Sequence, residues 1–347
     1  MLVNIANAQA NMGAEVHVIV INELYETGLL NRFGENVNVH FIHRKLQSKG
    51  LGYAFRMNKL LLKLAPDAIH LHSSKLFILL WRKRLSRVAS VTLHDLPIGS
   101  VRRSGILPKI LPIVNYLNTG NVTAIDRIPK VFSISQAVKD ELLKQNGVDS
   151  IVVNNGILTD SFKRRDRNLL EGKLRIVQVS RLEHDKKGQD LLIAAVEKLR
   201  NSVVVDFIGD GNSRDFLSQL VKEKGLQDEI RFLGTKSQAY IAEHLCDYDL
   251  FVQPSRWEGF GLTVAEAMSS NLPVLVSAGQ GPAEVTCGDK YGWTFINGNV
   301  DDLSEHIRYI AEHYDEALKK SKDALHYVQD TYDVSVTARK YLEMYGK

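Results

Sequence analysis

Apolar residues gather along this chain in short runs closed by Gly, Pro, Asn or Ser, and most runs are followed by stretches with an apolar residue every third or fourth position. VHVIVIN, VNVHFIH, AIHLHS, VASVTLHD, KVFSIS, LRIVQVS, VVVDFIG, IRFLG, LFVQPS and PVLVS are such runs, rich in Val and Ile. They read as buried strands. The intervening segments predict helices over Gly52 to Leu64, Lys75 to Leu85, QAVKDELLKQN and GQDLLIAAVEKLR, the last with Leu191, Leu192, Ala195, Val196 and Leu199 on its core face. Strand–helix alternation of this kind predicts parallel sheets covered by helices, an α/β chain. The opening departs from the pattern. LVNIANAQAN reads as a helix stopped at Gly13, followed by a strand from Glu15 to Asn22, so the first strand and glycine-rich loop with which a doubly wound domain ordinarily begins are expected to be missing. The C-terminal stretch from Asp301 onward is helical throughout, its apolar spacing suited to core packing.

A charged stretch, SFKRRDRNLLEGK, separates two such α/β series and reads as a linker. The expected organisation is a first domain over 1–165, a second over 166–327 and a terminal helix over 328–347. With 347 residues, 44% of them hydrophobic and 24% charged, the chain can bury two cores. No run approaches the roughly 18 apolar residues of a membrane span, and no signal peptide opens the sequence, so a cytoplasmic protein is expected. Two cysteines, Cys246 and Cys287, fit a reducing compartment and exclude a cysteine-built zinc site.

Charge changes the picture of the first half. Up to Arg165 there are 22 Lys and Arg against 11 Asp and Glu, a net of +11, while the remainder carries 22 against 29, a net of −7. The clusters WRKRLSR, VRRS and FKRR make the first half a candidate for an anionic partner. An anionic membrane surface, on the inner face where such a protein would be peripheral, is the partner expected; nucleic acid is not, because no aromatic-basic motif accompanies the charge.

The candidate chemistry is concentrated between Pro254 and Ser277. LFVQPS ends at the mouth of a predicted strand, where ligands of open α/β sheets sit. In the turn that follows, Gly259 and Gly261 permit close backbone approach, and Thr263 is expected to cap the helix VAEAMSS. The free N–H groups at such a helix start favour a phosphate. Glu258 in the turn and Glu266 in the expected first helical turn are carboxylates suited to bridging sugar diols by charge-assisted hydrogen bonds. Each taken alone is as well explained by a solvated loop charge or a helix-dipole partner.

PSRWEGFGLTVAEAMSSNLPVLVS resembles the Glu, seven residues, Glu signature of the retaining GT-B glycosyltransferases of the large family-four group. The resemblance implies two Rossmann-like doubly wound domains facing across a cleft, with the last helix crossing back to the first domain. It implies that Glu258 contacts a donor sugar, that Gly259, Phe260, Gly261, Leu262 and Thr263 bind its diphosphate, and that Glu266 binds the nucleotide ribose. Arg181 after LRIVQVS and Lys187 before Gly188 would bind the same diphosphate, and His94, at the end of VASVTLHD beside Asp95, would face the donor sugar as a catalytic residue. Ser135 resembles the serine that closes a first-domain strand, and the proline-broken segment VRRSGILPKILPIVNYLN is a candidate acceptor-side element. No metal and no cofactor are implied, and Asp247 and Asp249 are read as lying outside the site although they match an Asp-x-Asp pattern. The implied reaction moves a hexosyl unit from a nucleoside diphosphate sugar, UDP-linked, to a hydroxyl of a growing surface glycan such as lipopolysaccharide or capsule, or of a lipid-linked saccharide. A GT-B sugar-nucleotide epimerase and a non-catalytic sugar-nucleotide-binding subunit are the alternatives.

Overall fold

The computed structural model describes residues 1–24, 27–45, 50–94, 125–164, 170 and 172–346. It divides into two units: Met1–Gly156 together with Val334–Lys347, and Ile157–Asp333.

The first unit carries two parallel sheets. β1 (Val16–Asn22) pairs with β2 (Val37–His43), Val16 opposite Val37 and Asn22 opposite His43. β3 (Ile69–Leu71), β4 (Ala89–Leu93), β5 (Lys130–Ser133) and β6 (Ile151–Val152) form the other sheet, in that order. The predicted helix Gly52–Leu64 is present and buries Tyr53, Ala54, Met57 and Leu61 in a core shared with Ile42, Ile69, Leu71 and Val91. Its period explains this, since those four positions fall on one side of a 3.6-residue repeat. The opening helix Leu2–Asn11 and the terminal helix Val334–Tyr345 join one cluster through Ile5, Phe132, Val153 and Tyr341.

The helix expected over Lys75 to Leu85 is not formed as one element. A 3₁₀ turn, Ser74–Leu79, and a short helix, Lys83–Arg87, take its place. The buried Asn58 gives the physical reason. Its Nδ2 donates to Leu79 O at 2.7 Å and its Oδ1 accepts from Trp81 N at 3.0 Å, so backbone groups that a helix would use are satisfied by a side chain instead. Asp95 and the proline-broken segment 101–118 lie outside the described residues.

The second unit has one six-stranded parallel sheet, β12-β11-β10-β7-β8-β9. The strands are β7 (Leu174–Val179), β8 (Val203–Ile208), β9 (Ile230–Gly234), β10 (Leu250–Gln253), β11 (Val274–Ser277) and β12 (Trp293–Phe295). From β7 the chain runs outward to β9, then returns to β10 on the opposite side of β7 and runs outward again. The strand order therefore reverses between β7 and β10, and that is where the carboxyl ends of an open sheet leave a crevice. The helix Gln189–Lys198 buries Leu191, Leu192, Ala195 and Val196 as its spacing predicts. At the amino end of β10, the end away from that crevice, Arg175 Nε and Nη2 hold the Asp249 carboxylate at 3.0 and 2.9 Å, and Asp247 meets His244 at 2.9 Å.

Candidate functional site

The loops after β7 and β10 meet at the switch point because each supplies hydrogen-bonding groups that the other lacks. Arg256 N donates to Lys186 O at 2.9 Å, and the Arg256 guanidinium grips Asp190 through two bonds of 2.8 and 2.6 Å while also donating to His184 O. A bidentate pair of this kind fixes direction as well as distance. Lys187 is thereby held beside the loop that carries Glu258, and Lys187 Nζ lies 2.6 Å from Glu258 Oε2.

The same carboxylate oxygen accepts two further bonds, from Gln253 Nε2 at 3.1 Å and Ser255 Oγ at 3.0 Å, and Gln253 also donates to Ser255 Oγ at 2.8 Å. Gln253 and Ser255 are fully buried. On the β7 side, Gln178 Nε2 donates to Lys187 O at 3.0 Å and Gln189 Nε2 to Arg181 O at 2.9 Å. A belt of buried amides thus holds the backbone of both basic candidates. Their side chains differ: Lys187 is 16% exposed and bound to Glu258, while Arg181 is 70% exposed and paired with Glu183.

The glycine turn is built for backbone approach. Gly261, with φ of +97°, is the N-cap of the helix Leu262–Ser269. Thr263 therefore does not cap it: the cap is a glycine in the left-handed region, with no side-chain bond, and Thr263 is the second helical residue. Glu266 correspondingly lies beyond the first turn, where burial outweighs the dipole. Phe260 turns its ring into the core, edge-on to Tyr332 at 5.4 Å, which leaves its backbone as the part available to a ligand. The turn packs on Gly281, where a Cβ would come within 2.5 Å of Gly259 C and O and of Phe260 N. Gln280 Oε1, at the cap of the helix Gly281–Val285, accepts from Glu258 N at 3.2 Å.

Glu266 is 8% exposed, and Gln238 Nε2 donates to its Oε1 at 2.8 Å. Burial pushes its carboxyl up to about 7, and the Gln238 bond opposes the shift without cancelling it. A carboxyl in this setting is poised to ionise when hydroxyl donors arrive.

In the first unit, His94 follows β4 and stacks on His72, ring centroids 5.3 Å apart, with His72 Nδ1 3.0 Å from His94 Nε2. His72 stacks in turn on His70 at 4.7 Å, and His70 Nε2 meets Thr92 Oγ1 at 2.7 Å. Burial holds all three imidazoles below their usual range, His72 at about 4. Ser135 is fully buried and accepts from Val138 N at 3.1 Å as a helix N-cap.

Gln253, Ser255, Gln238, Gln178, Gln189, Arg256 and His72 are residues that sequence reasoning did not single out. The available signal was polarity inside apolar runs: Gln178 in LRIVQVS and Gln253 in LFVQPS interrupt strands that are otherwise hydrophobic.

The family described as Glycosyltransferase Family 4 matches residues 1–161, and the one described as glycosyl transferases group 1 matches residues 160–326. Among curated proteins, the phosphatidylinositol N-acetylglucosaminyltransferase GPI3 subunit of Saccharomyces cerevisiae is 29% identical over 184 residues, covering 50% of this chain and 40% of that protein. Less than half of the length of that relative is therefore spanned. Glycogen synthase of Mycobacterium tuberculosis is 22% identical over 293 residues, covering 81% of this chain and 68% of that protein. Among solved structures, the Anabaena protein Alr3699/HepE in complex with UDP and glucose superposes with a TM-score of 0.76 at 18% identity, covering 100% of this chain and 95% of that one. The likeness shows a GT-B fold, two Rossmann-like domains.

Proposed function

Because the chain belongs to the group 1 glycosyltransferases, we propose that it transfers a hexosyl unit from a UDP-linked sugar to a hydroxyl of a growing surface glycan or lipid-linked saccharide, with retention at the anomeric carbon and without a metal. The observation that carries the reading is the Lys187–Glu258 contact of 2.6 Å beside the helix start at Gly261.

A departing nucleoside diphosphate gains negative charge as the glycosidic bond lengthens, and groups already aimed at that charge lower the barrier. Lys187 supplies a fixed cation, Arg181 a mobile one, and the Leu262 and Thr263 amides the positive end of a helix. Glu258 takes hydroxyls of the transferred sugar and Glu266 the ribose diol. No side chain of the second unit offers an evident covalent nucleophile, so the leaving diphosphate assists the incoming hydroxyl on the same face while the sugar passes through an oxocarbenium-like state. His94 is the catalytic residue of the first unit in this reading. The S. cerevisiae relative bears the name of an enzyme acting on a phosphatidylinositol, which favours a lipid-linked acceptor here.

Calorimetry with UDP and, as control, GDP tests the donor side. Wild type prefers UDP, and Glu266→Ala loses about 1.5–3 kcal/mol of it, the worth of a charge-assisted hydrogen bond. His94→Ala keeps UDP affinity and loses turnover. Binding of neither nucleotide, or equal binding by wild type and Glu266→Ala, overturns the reading.

A further inference from the structure

The helix Gly52–Leu64 has a second face, which the core does not use. Phe55, Arg56, Lys59, Leu62 and Lys63 are exposed along it, and their spacing places them on one side of the helix. Phe55 is 60% exposed, Leu62 46% and Trp81 45%. Isolated apolar residues at a surface are ordinary, but these are not isolated. The Phe55 and Trp81 rings touch, centroids 6.2 Å apart. The buried Asn58 sets that contact: its amide binds Ala54 O and Leu79 O and its carbonyl accepts from Trp81 N, so the backbone bearing Trp81 is fastened to the helix that bears Phe55.

Charge around the rings is of one sign. From Arg44 to Arg87 the sequence has 11 Lys and Arg and a single carboxylate, Asp67. Arg82, Lys83, Arg84 and Arg87, directly after Trp81, are all exposed. Aromatic rings beside cations, with aliphatic carbon on the same face, are the composition that settles at a lipid headgroup layer: the rings enter the interface and the cations meet anionic headgroups. An acidic protein would satisfy the cations but not the exposed apolar carbon, and a nucleic acid would favour rings arrayed as parallel platforms rather than a pair inclined at 47°.

We propose that this face, centred on Phe55 and Trp81, docks the protein on an anionic membrane surface. The inference rests on the lipid-linked acceptor proposed above for its use, yet its test needs neither donor nor turnover.

Full-length protein is sedimented at low salt with vesicles of phosphatidylcholine alone and of phosphatidylcholine with phosphatidylglycerol, and its tryptophan emission is recorded. Binding to the anionic vesicles is expected to be at least about tenfold tighter, with cations near the surface each contributing to the preference, and the emission is expected to shift to the blue. Trp81→Phe keeps binding and loses the blue shift. Phe55→Ser with Trp81→Ser weakens anionic binding at least about fivefold, and Lys59→Gln with Arg82→Gln and Lys83→Gln removes the preference for anionic lipid. UDP affinity, unchanged in every variant, reports that each has folded. Equal binding to both vesicles, no binding, or variants that bind as wild type does overturn the proposal. Binding to polyglutamate or to RNA without vesicle binding overturns it in favour of a macromolecular partner. Loss of UDP binding with vesicle binding intact removes the donor reading alone.

Discussion

Lys187 and Glu258 neutralise each other across 71 positions of sequence, Nζ to Oε2 at 2.6 Å, with both side chains more than four-fifths covered. The cation proposed to meet a diphosphate therefore already has a partner, and a ligand must share that partner or displace it. Lys187→Ala is expected to weaken UDP by about 2 kcal/mol, roughly thirtyfold, through the lost charge-assisted bond. Uridine, which has no phosphate, serves as the control in the same calorimeter and is expected to change by no more than about twofold.

The amide of Gln253 positions Glu258 from beneath. Gln253→Leu removes the donor that Ser255 and Glu258 share and leaves buried oxygen short of a partner. A stability loss of about 1–3 kcal/mol is expected in urea unfolding, together with a fall in kcat. Gln253→Glu would add a second carboxylate beside Glu258 and is expected to be the more damaging of the two.

The turn between β10 and its helix tolerates no bulk at Gly281. Gly281→Ala places a methyl group within 2.5 Å of the Gly259 carbonyl and the Phe260 amide, so the turn must move. About 1–3 kcal/mol of stability is expected to go with it, and UDP binding with the backbone geometry; thermal unfolding and calorimetry read the two separately.

Protons act on the two units in opposite senses. Glu266 carries a folded value of about 7, above its ordinary 4.5, so the folded state binds the extra proton and its contribution to stability falls as pH rises from 4.5 through 7. His72 is held at about 4, below its ordinary 6.5, so the unfolded state binds the extra proton, and stability is lost as pH falls from 6.5 towards 4. Hydrogen exchange at pH 5 and pH 8 is expected to show β3 and β4 less protected at the lower pH. The same shift makes UDP affinity pH-dependent, since ribose hydroxyls donate to the ionised Glu266: wild type weakens relative to Glu266→Gln as pH falls below about 7.

Much of this was legible in the sequence. Strands such as LRIVQVS and PVLVS, buried on both faces, stand out as apolar runs, and the Glu258-to-Glu266 spacing with its glycines marks the turn between them. What stayed hidden depended on partners far along the chain. Thr263 has the chemistry of a cap, but Gly261 reaches the left-handed region first and starts the helix earlier. Lys75 to Leu85 has helical spacing, but Asn58, in another element, takes the backbone groups at Leu79 and Trp81. Gln253 is polar in plain view, yet only the fold shows that Ser255 and Glu258 lie within its reach.

One consequence follows from how the units are cut from the chain. The second occupies the unbroken stretch Ile157–Asp333, whereas the first is assembled from Met1–Gly156 and the last helix, with Tyr341 packed against Phe132. On the ribosome, domains close as their residues emerge. The nucleotide-side unit therefore has all its strands in hand while the unit begun first still waits for Tyr341, and a nascent chain stalled before that residue would hold a finished Lys187–Glu258 site beside an unfinished partner.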